Sequence, residues 1–494
     1  MNRTCGVLMH ITSLPSPYGI GTLGKEAEKF ADWLVSAGQS YWQVLPIGPT
    51  GYGDSPYQPF SSFAGNHLLI DLDELCEHGL LDKSDCENAD YGADPEYVDY
   101  DKISKTRNEL LRKAFAKFVD DVGYTSFVLE ESSWLEDYAL FIALKGKFGG
   151  KPWTQWEEDI KLRRPAAIEK YSEELKDEIR FVKWCQYIFF RQWNRFHGVC
   201  KAKGIQIIGD IPIYVSPDCS DVWANPALFE LDERLNPKRV AGVPPDYFSK
   251  TGQLWGNPLY NWQEMKKTRY DWWIKRVKKS AQLYDMLRID HFRAFDTYYA
   301  IPYGNETAEH GNWEQGPGMD LFNEIRKQLG DVSIIAEDLG DIFDSVKKLL
   351  AESGFPGMRV VQCGFNPENS DNDHLPHNYP KNSVCYTGTH DNATIMQWFK
   401  EADAASKKMA KRYLNKGTFD KFNVCAIRAA YASPSFLTVI PMQDILGLGK
   451  RGRMNVPSTL GGNWGWRMQT KQLKSKHAAL LKDLAVTYMR DKKQ

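Results

Sequence analysis

The residues of this 494-residue chain best placed to do chemistry are acids that close short apolar runs. Met286-Leu287-Arg288-Ile289-Asp290-His291 ends in a carboxylate, with an arginine two positions before it and a histidine directly after. If the run is a buried parallel strand, alternation sends Arg288 and Asp290 to one face. An acid, a cation and an imidazole would then meet at the carboxyl end of a single strand. Taken alone, the motif reads equally well as an ion pair at a strand end. Two further runs finish in the same way, at Glu337 (Ile334-Ile335-Ala336-Glu337) and at His390-Asp391 after Val384-Cys385-Tyr386-Thr387. Two carboxyl groups flanking an acetal oxygen are the minimum for breaking a glycosidic bond. One protonates the leaving oxygen, and the other meets the oxocarbenium ion, attacking it directly when the two lie ~5–5.5 Å apart. Arg288 would hold Asp290 ionised. Glu337 needs the opposite treatment, a raised pKa that delivers it protonated. Asp391, with His390 beside it, can grip sugar hydroxyls.

These acids need a scaffold that brings strand ends together. Eight β-branched or apolar runs can be read, at 6–10, 41–45, 205–210, 286–290, 332–337, 358–362, 384–387 and 436–440. Helical periodicity lies between several of them: at 25–37 (Ala27, Phe30, Ala31, Leu34, Val35, then Gly38), at 341–353 (Ile342, Val346, Leu349, Leu350, then Gly354) and at about 474–489. The expected fold is α/β, a (β/α)8 TIM barrel whose carboxyl face collects the acids after strands four, five and seven. The gaps from 45 to 205 and from 210 to 286 far exceed the ~30 residues of a minimal βα unit, so large insertions follow strands two and three. Residues 1–494 read as one catalytic barrel. Residues 67–203 form a mainly helical insertion, with rings at Phe115, Phe118, Trp184, Tyr187, Phe190 and Trp193, and residues 216–285 a loop-rich, proline-rich one. Residues 364–383 have no helical period and read as a site loop in place of a helix. Only residues 441–494 follow the last strand, too few for a C-terminal β-sandwich domain.

Other segments compete for a role. Gly19-Ile20-Gly21-Thr22-Leu23-Gly24 matches a dinucleotide fingerprint, but Pro15 and Pro17 break the strand–turn–helix it requires, and no acid ends the next strand. Residues 51–65 follow strand two and offer Asp54, Ser55, Tyr57 and Gln58 on a backbone fixed by glycines and prolines. Asp210 closes the third strand, where a buried acid needs partners; it reads as an organiser of its neighbours or a cap of the next segment. Residues 242–262 present Tyr247, Phe248, Trp255, Tyr260 and Trp262 with Asp246 and Gln253 on Gly/Pro-rich backbone. Rings on such a loop can stack on sugar faces or pack the insertion itself.

Composition narrows the partners. A net charge of −2 with both signs dispersed argues against nucleic acid. No stretch approaches 18 apolar residues, so no membrane span is expected, and the N-terminus lacks a leader pattern. The nine cysteines show no CxxC pair or metal-ligand spacing, which suits reduced thiols in a cytoplasmic enzyme. No carboxylate cluster suggests a metal, and none of the motifs calls for a cofactor.

Taken together, Arg288-Ile289-Asp290-His291, Glu337-Asp338-Leu339-Gly340 and Thr389-His390-Asp391-Asn392 resemble the characteristic motifs of the α-amylase superfamily. His10–Gly24 (HITSLPSPYGIGTLG), Gly51–Gln58 (GYGDSPYQ), Gly242–Tyr260 and Gly462–Arg467 (GNWGWR) narrow the resemblance to the 4-α-glucanotransferases of glycoside hydrolase family 77. The resemblance runs from His10 to Arg467. It implies transfer of an α-1,4-glucan segment to the 4-hydroxyl of an acceptor sugar, with Asp290 as nucleophile, Glu337 as acid/base and Asp391 as transition-state stabiliser. By the same matching, Arg288, His291, His390, Asp210, Tyr57, Trp255 and Asn463 are subsite residues, joined by Ser55 from the same loop as Tyr57. The implied partners are an α-1,4-glucan donor and a sugar acceptor. A retaining α-glucan hydrolase shares the first half of this chemistry, and a non-catalytic glucan-binding protein could keep the barrel without it.

Overall fold

A computed structural model describes residues 2–245, 249–340, 342–369 and 371–491. Asp246, Tyr247, Phe248 and Asp341, named above, lie outside the described residues. Twelve strands are seen among them: β1 (Thr4–Leu8), β2 (Tyr41–Gln43), β3 (Gln206–Ile211), β4 (Arg239–Val243), β5 (Gln253–Pro258), β6 (Met286–Ile289), β7 (Thr297–Pro302), β8 (Asn312–Gln315), β9 (Ile334–Ala336), β10 (Gly357–Val360), β11 (Ser383–Tyr386) and β12 (Leu437–Pro441). Eight of them close a parallel barrel in the order β1-β2-β3-β6-β9-β10-β11-β12, with β12 pairing back onto β1. Each expected strand falls on one of these eight, shifted by at most a few residues. β1, β11 and β12 are buried at every position, as strands covered on both faces must be, which is why they read as unbroken apolar runs.

Register explains the first contact of the site. Asp210 on β3 lies opposite Arg288 on β6, and Arg288 lies opposite Ile335 on β9. The acid and the cation are therefore side by side before any side chain turns.

Helices separate most of the barrel strands. Lys25–Ser36 buries Ala27, Phe30, Ala31 and Leu34, and Gly38 beyond its end takes φ +66°. The helix expected over 341–353 begins only at Asp344, because Phe343 is extended. Between β10 and β11 the described residues hold only short 3-10 turns, Val361–Gly364 and Pro376–Asn378.

Between β2 and β3 the chain forms a helical layer dominated by Tyr100–Lys117, Ser132–Lys147 and Lys176–Ala202. The last of these props up the 51–65 loop. The Gln186 side chain brackets Gly65, donating to its carbonyl and accepting its N–H, while a Cβ at Gly65 would stand 2.0 Å from the Phe189 ring.

A second sheet was not anticipated. β4 and β5, from the 216–285 segment read as loop, join β7 and β8 from the β6–β9 connection in an antiparallel sheet, β5-β4-β7-β8. Glycines and prolines in Arg239–Pro258 and a register shift between Val240 and Gly242 hide the alternation that would have revealed these strands. The glycines of the dinucleotide-like motif are explained by packing: a Cβ at Gly21 would strike the Ile11 carbonyl, and one at Gly24 the Asp71 carboxylate.

Candidate active site

At the carboxyl end of β3 and β6 an arginine is held between two acids. The Arg288 Nη1 donates to both oxygens of Asp210, at 2.8 and 2.6 Å, and its Nη2 meets Asp290 Oδ1 at 2.8 Å. Asp210 also accepts from the Tyr57 hydroxyl at 2.9 Å. Side-chain exposure rises along this chain of contacts, from 0% at Asp210 and 3% at Arg288 to 28% at Asp290, so Asp290 is the acid open to a substrate. Burial lifts Asp210 to about 6, against the pull of Arg288. Burial also works against the Arg288 charge, but the two flanking carboxylates override it and hold the guanidinium firmly protonated. Asp210 is thus the organiser that its place at a buried strand end suggested.

Glu337 follows β9, and its backbone continues the ladder by donating to the Ile289 carbonyl at 3.0 Å. Its carboxyl accepts the N–H of His291 at 2.7 Å and of Leu339 at 2.8 Å. His291 can aim its N–H there because it sits in the left-handed region, at φ 48° and ψ 48°, a conformation that costs a non-glycine residue energy and recurs at functional sites. Burial and the neighbouring Asp290 charge raise Glu337 to about 7, outweighing Arg288 and the two N–H donors. One acid is thus ion-paired while its neighbour keeps a proton near neutrality. A raised carboxyl beside an ion-paired, partly exposed one is an arrangement suited to an acid and a nucleophile. The His291 ring packs edge-on against Trp255 at 4.8 Å, and burial and Arg293 lower it to about 3, so it is neutral.

The third acid lies beyond β11. Asp391 is paired through Oδ2 with His390 Nε2 at 3.2 Å, and Oδ1 accepts from the Asn455 amide at 2.6 Å. Burial pushes Asp391 up, but His390, Asn455 and Arg288 together hold it well below the usual carboxylate range. Burial works against the His390 cation, yet Asp391 raises it on balance. Tyr57 stacks on the His390 ring (centroids 5.1 Å, planes at 16°), so one side chain reaches both the Asp210 end and the Asp391 end of the site. The site therefore offers an ion-paired acid, an acid raised to about 7 and a histidine-paired acid beyond the ends of β6, β9 and β11, the residue types that acetal chemistry needs.

A family model described as 4-alpha-glucanotransferase matches residues 9–473. The chain belongs to the 4-alpha-glucanotransferase family. It is 49% identical to a 4-alpha-glucanotransferase of Clostridium butyricum, the match covering 93% of this chain and 95% of the relative. It is 48% identical to that of Streptococcus pneumoniae, covering 99% and 97%. Among solved structures, amylomaltase from Streptococcus agalactiae in complex with acarbose superimposes with a TM-score of 0.97 at 43% identity, covering 99% of this chain and 100% of that one. Membership in the 4-alpha-glucanotransferase family agrees with the barrel and with the motifs that suggested it.

Of the residues singled out in the sequence, Asp210, Arg288, Asp290, Tyr57, His390 and Asp391 form one connected cluster, and Glu337 joins it through the N–H of His291, the residue after Asp290. Trp255 touches it through His291, but from strand β5 rather than from a loop. Tyr260, read as a possible stacking ring, is 1% exposed and packs with Phe229, Trp262 and Trp273. The Ser55 hydroxyl accepts the Tyr57 N–H at 3.2 Å and so shapes its own loop. The Asn463 side chain is spent within its loop, on Val456 and Thr459. Three contributors were missed: Asn455, Arg453, whose Nη2 donates to the Asp391 carbonyl at 3.0 Å, and Trp464, whose ring lies 5.6 Å from Tyr57 and 5.9 Å from His390. For Asn455 and Arg453 the only signal was position, since residues 442–464 follow the last barrel strand and so emerge on the face of the acids, whereas Trp464 stands within the GNWGWR motif already singled out. Among the described residues no cluster of three or more His, Cys, Asp or Glu could hold a metal, and no helix is long and apolar enough to cross a membrane.

Proposed function

We propose that this protein transfers a segment of an α-1,4-glucan to the 4-hydroxyl of an acceptor glucan or glucose by double displacement, with Asp290, Glu337 and Asp391 as its catalytic residues. Asp290 attacks the anomeric carbon while Glu337 gives its proton to the departing glycosidic oxygen, leaving a glycosyl-aspartate. Glu337, now a carboxylate, takes the proton of the acceptor 4-hydroxyl as that oxygen attacks the same carbon and Asp290 departs. Asp391 binds hydroxyls of the sugar as its ring flattens. Arg288 and Asp210 orient Asp290, and Tyr57, His390 and Trp255 line the sugar's path; we assign Ser55 and Asn463 to shaping its walls. On this reading residues 67–203 and 216–285 are insertions that wall the cleft of a single catalytic barrel. The carrying observation is the opposed state of two neighbouring acids, Asp290 paired with Arg288 at 2.8 Å and Glu337 raised to about 7. The 4-alpha-glucanotransferase relatives support transfer to a sugar over transfer to water.

Incubation of the purified protein with maltotriose tests this. A ladder of longer maltodextrins with glucose is expected, and it should vanish in Asp290→Asn, whose neutral amide is a poor nucleophile. Products that only shorten would replace transferase by hydrolase.

A further inference from the structure

We propose that Asn455 is a positioning residue for Asp391, one that fixes the carboxylate against the sugar without diluting its charge. This rests on the reading of Asp391 given above. Residues 453–455 clasp residues 390–391, just beyond β11, through three hydrogen bonds, and a fourth lies within the clasp. Asn455 N–H donates to the His390 carbonyl at 3.1 Å, and Arg453 Nη2 to the Asp391 carbonyl at 3.0 Å. Arg453 Nε donates to the Asn455 carbonyl at 2.8 Å, closing the loop on itself. The bond from the Asn455 side chain to Asp391 Oδ1, at 2.6 Å, is the only one of them that reaches the carboxylate.

The bonds to the His390 and Asp391 carbonyls would dock the loop whatever side chain stood at 455, so the side-chain bond has a separate task. Asp391 is 42% exposed at its side chain, and His390 holds only Oδ2. A carboxylate held at one oxygen can turn; held at both, its plane is fixed. The donor type matters as well. A further cation bonded to the carboxylate, beside His390, Arg288 and Arg453, would offset more of the negative charge that must face an oxocarbenium ion, whereas a neutral amide donates without adding charge. Each carboxylate oxygen has about two lone-pair sites, so with one used by His390 and one by Asn455, one per oxygen remains. That leaves acceptors for two sugar hydroxyls, in a plane set before substrate arrives. Preorganised geometry of this kind lowers the barrier rather than strengthening ground-state binding.

Steady-state disproportionation of maltotriose by Asn455→Ala and Asn455→Asp, measured between about pH 5 and pH 8, tests the assignment. A hydrogen bond to a charged group corresponds to roughly a tenfold effect or more. Asn455→Ala should therefore lose about tenfold in kcat, with KM changed far less. Asn455→Asp sets two carboxyls against each other, so its kcat/KM relative to wild type should rise as the pH falls and one shared proton removes the repulsion. Asn455→Ala with kcat within twofold of wild type overturns the proposal. So does a ratio for Asn455→Asp that stays flat with pH, the mark of a merely structural loss. Asp391→Asn is assayed alongside. If it keeps its activity, the reading of Asp391 itself fails. If it is inactive while both Asn455 variants are unimpaired, only the positioning role fails.

Discussion

Glu337 shows how one residue's environment sets both activity and stability. Burial and the Asp290 charge raise its carboxyl from an ordinary 4.5 to about 7. In the general-acid role proposed for it, the protonated form is the active one, so kcat/KM for glucan substrates should fall as pH rises through about 7. The same shift costs stability. Between 4.5 and about 7 the folded protein keeps a proton that the unfolded chain has released, so stability declines as pH rises through that window. Glu337→Gln carries no such proton. Thermal unfolding should show it more stable than wild type at about pH 8, with the margin shrinking to nothing near pH 4.5. An unchanged margin across that range would contradict the raised value. Arg288 and Asp290 were legible as partners from period-2 spacing alone. His291 was not, because its contribution comes from a backbone N–H set free by a left-handed φ of 48°, which residue type does not announce.

Among the elements, β3 carries the most concentrated constraint. Gly209 precedes Asp210, and a Cβ there would stand 2.2 Å from the Tyr284 ring, which is 6% exposed and has little room to move. Gly209→Ala should cost about 1–3 kcal/mol, read as a lower Tm, and should reduce kcat as the displaced strand carries Asp210 away from Arg288. A variant with wild-type Tm and kcat would show that Tyr284 yields. The eight barrel strands were readable because burial makes each a short, mainly apolar run, interrupted only by residues such as Asp210, Arg288 and Arg359. The sheet β5-β4-β7-β8 was not, because β5 and β8 are partly exposed, β5 carries both Gly and Pro, and β4 pairs with β7 across β6 in the chain. Strand character there is conferred by partners far away in sequence.

The whole molecule is closed by its last described helix, Ser475–Thr487, and by the arginine after it. Arg490 is 0% exposed and donates to the carbonyls of Thr4, Tyr431, Ser433 and Phe436, tying the start of β1 to the approach to β12. Burial holds it at about 10, still fully charged at neutral pH. Arg490→Ala removes the Arg490 donors from the barrel seam, while Arg3 still donates to the Tyr431 and Ser433 carbonyls and the Thr4 N–H to that of Phe436; the change should cost about 1–3 kcal/mol, seen as a lower Tm. Retention of the wild-type Tm would mean the seam closes without it.

The order of the acids along the chain, the eight barrel strands and the pairing of Arg288 with Asp290 were determined by the sequence, because each is local and periodic. Tertiary structure decided what is neither. It set Asp210 opposite Arg288 through register, and it brought the Asn455 amide to Asp391 and the Trp464 ring to Tyr57 and His390 from a loop more than sixty residues away. It also buried Glu337 deeply enough to keep its proton. Closing the barrel is the common cause, since it gathers strand ends that are remote in sequence and removes the water that would otherwise equalise their charges.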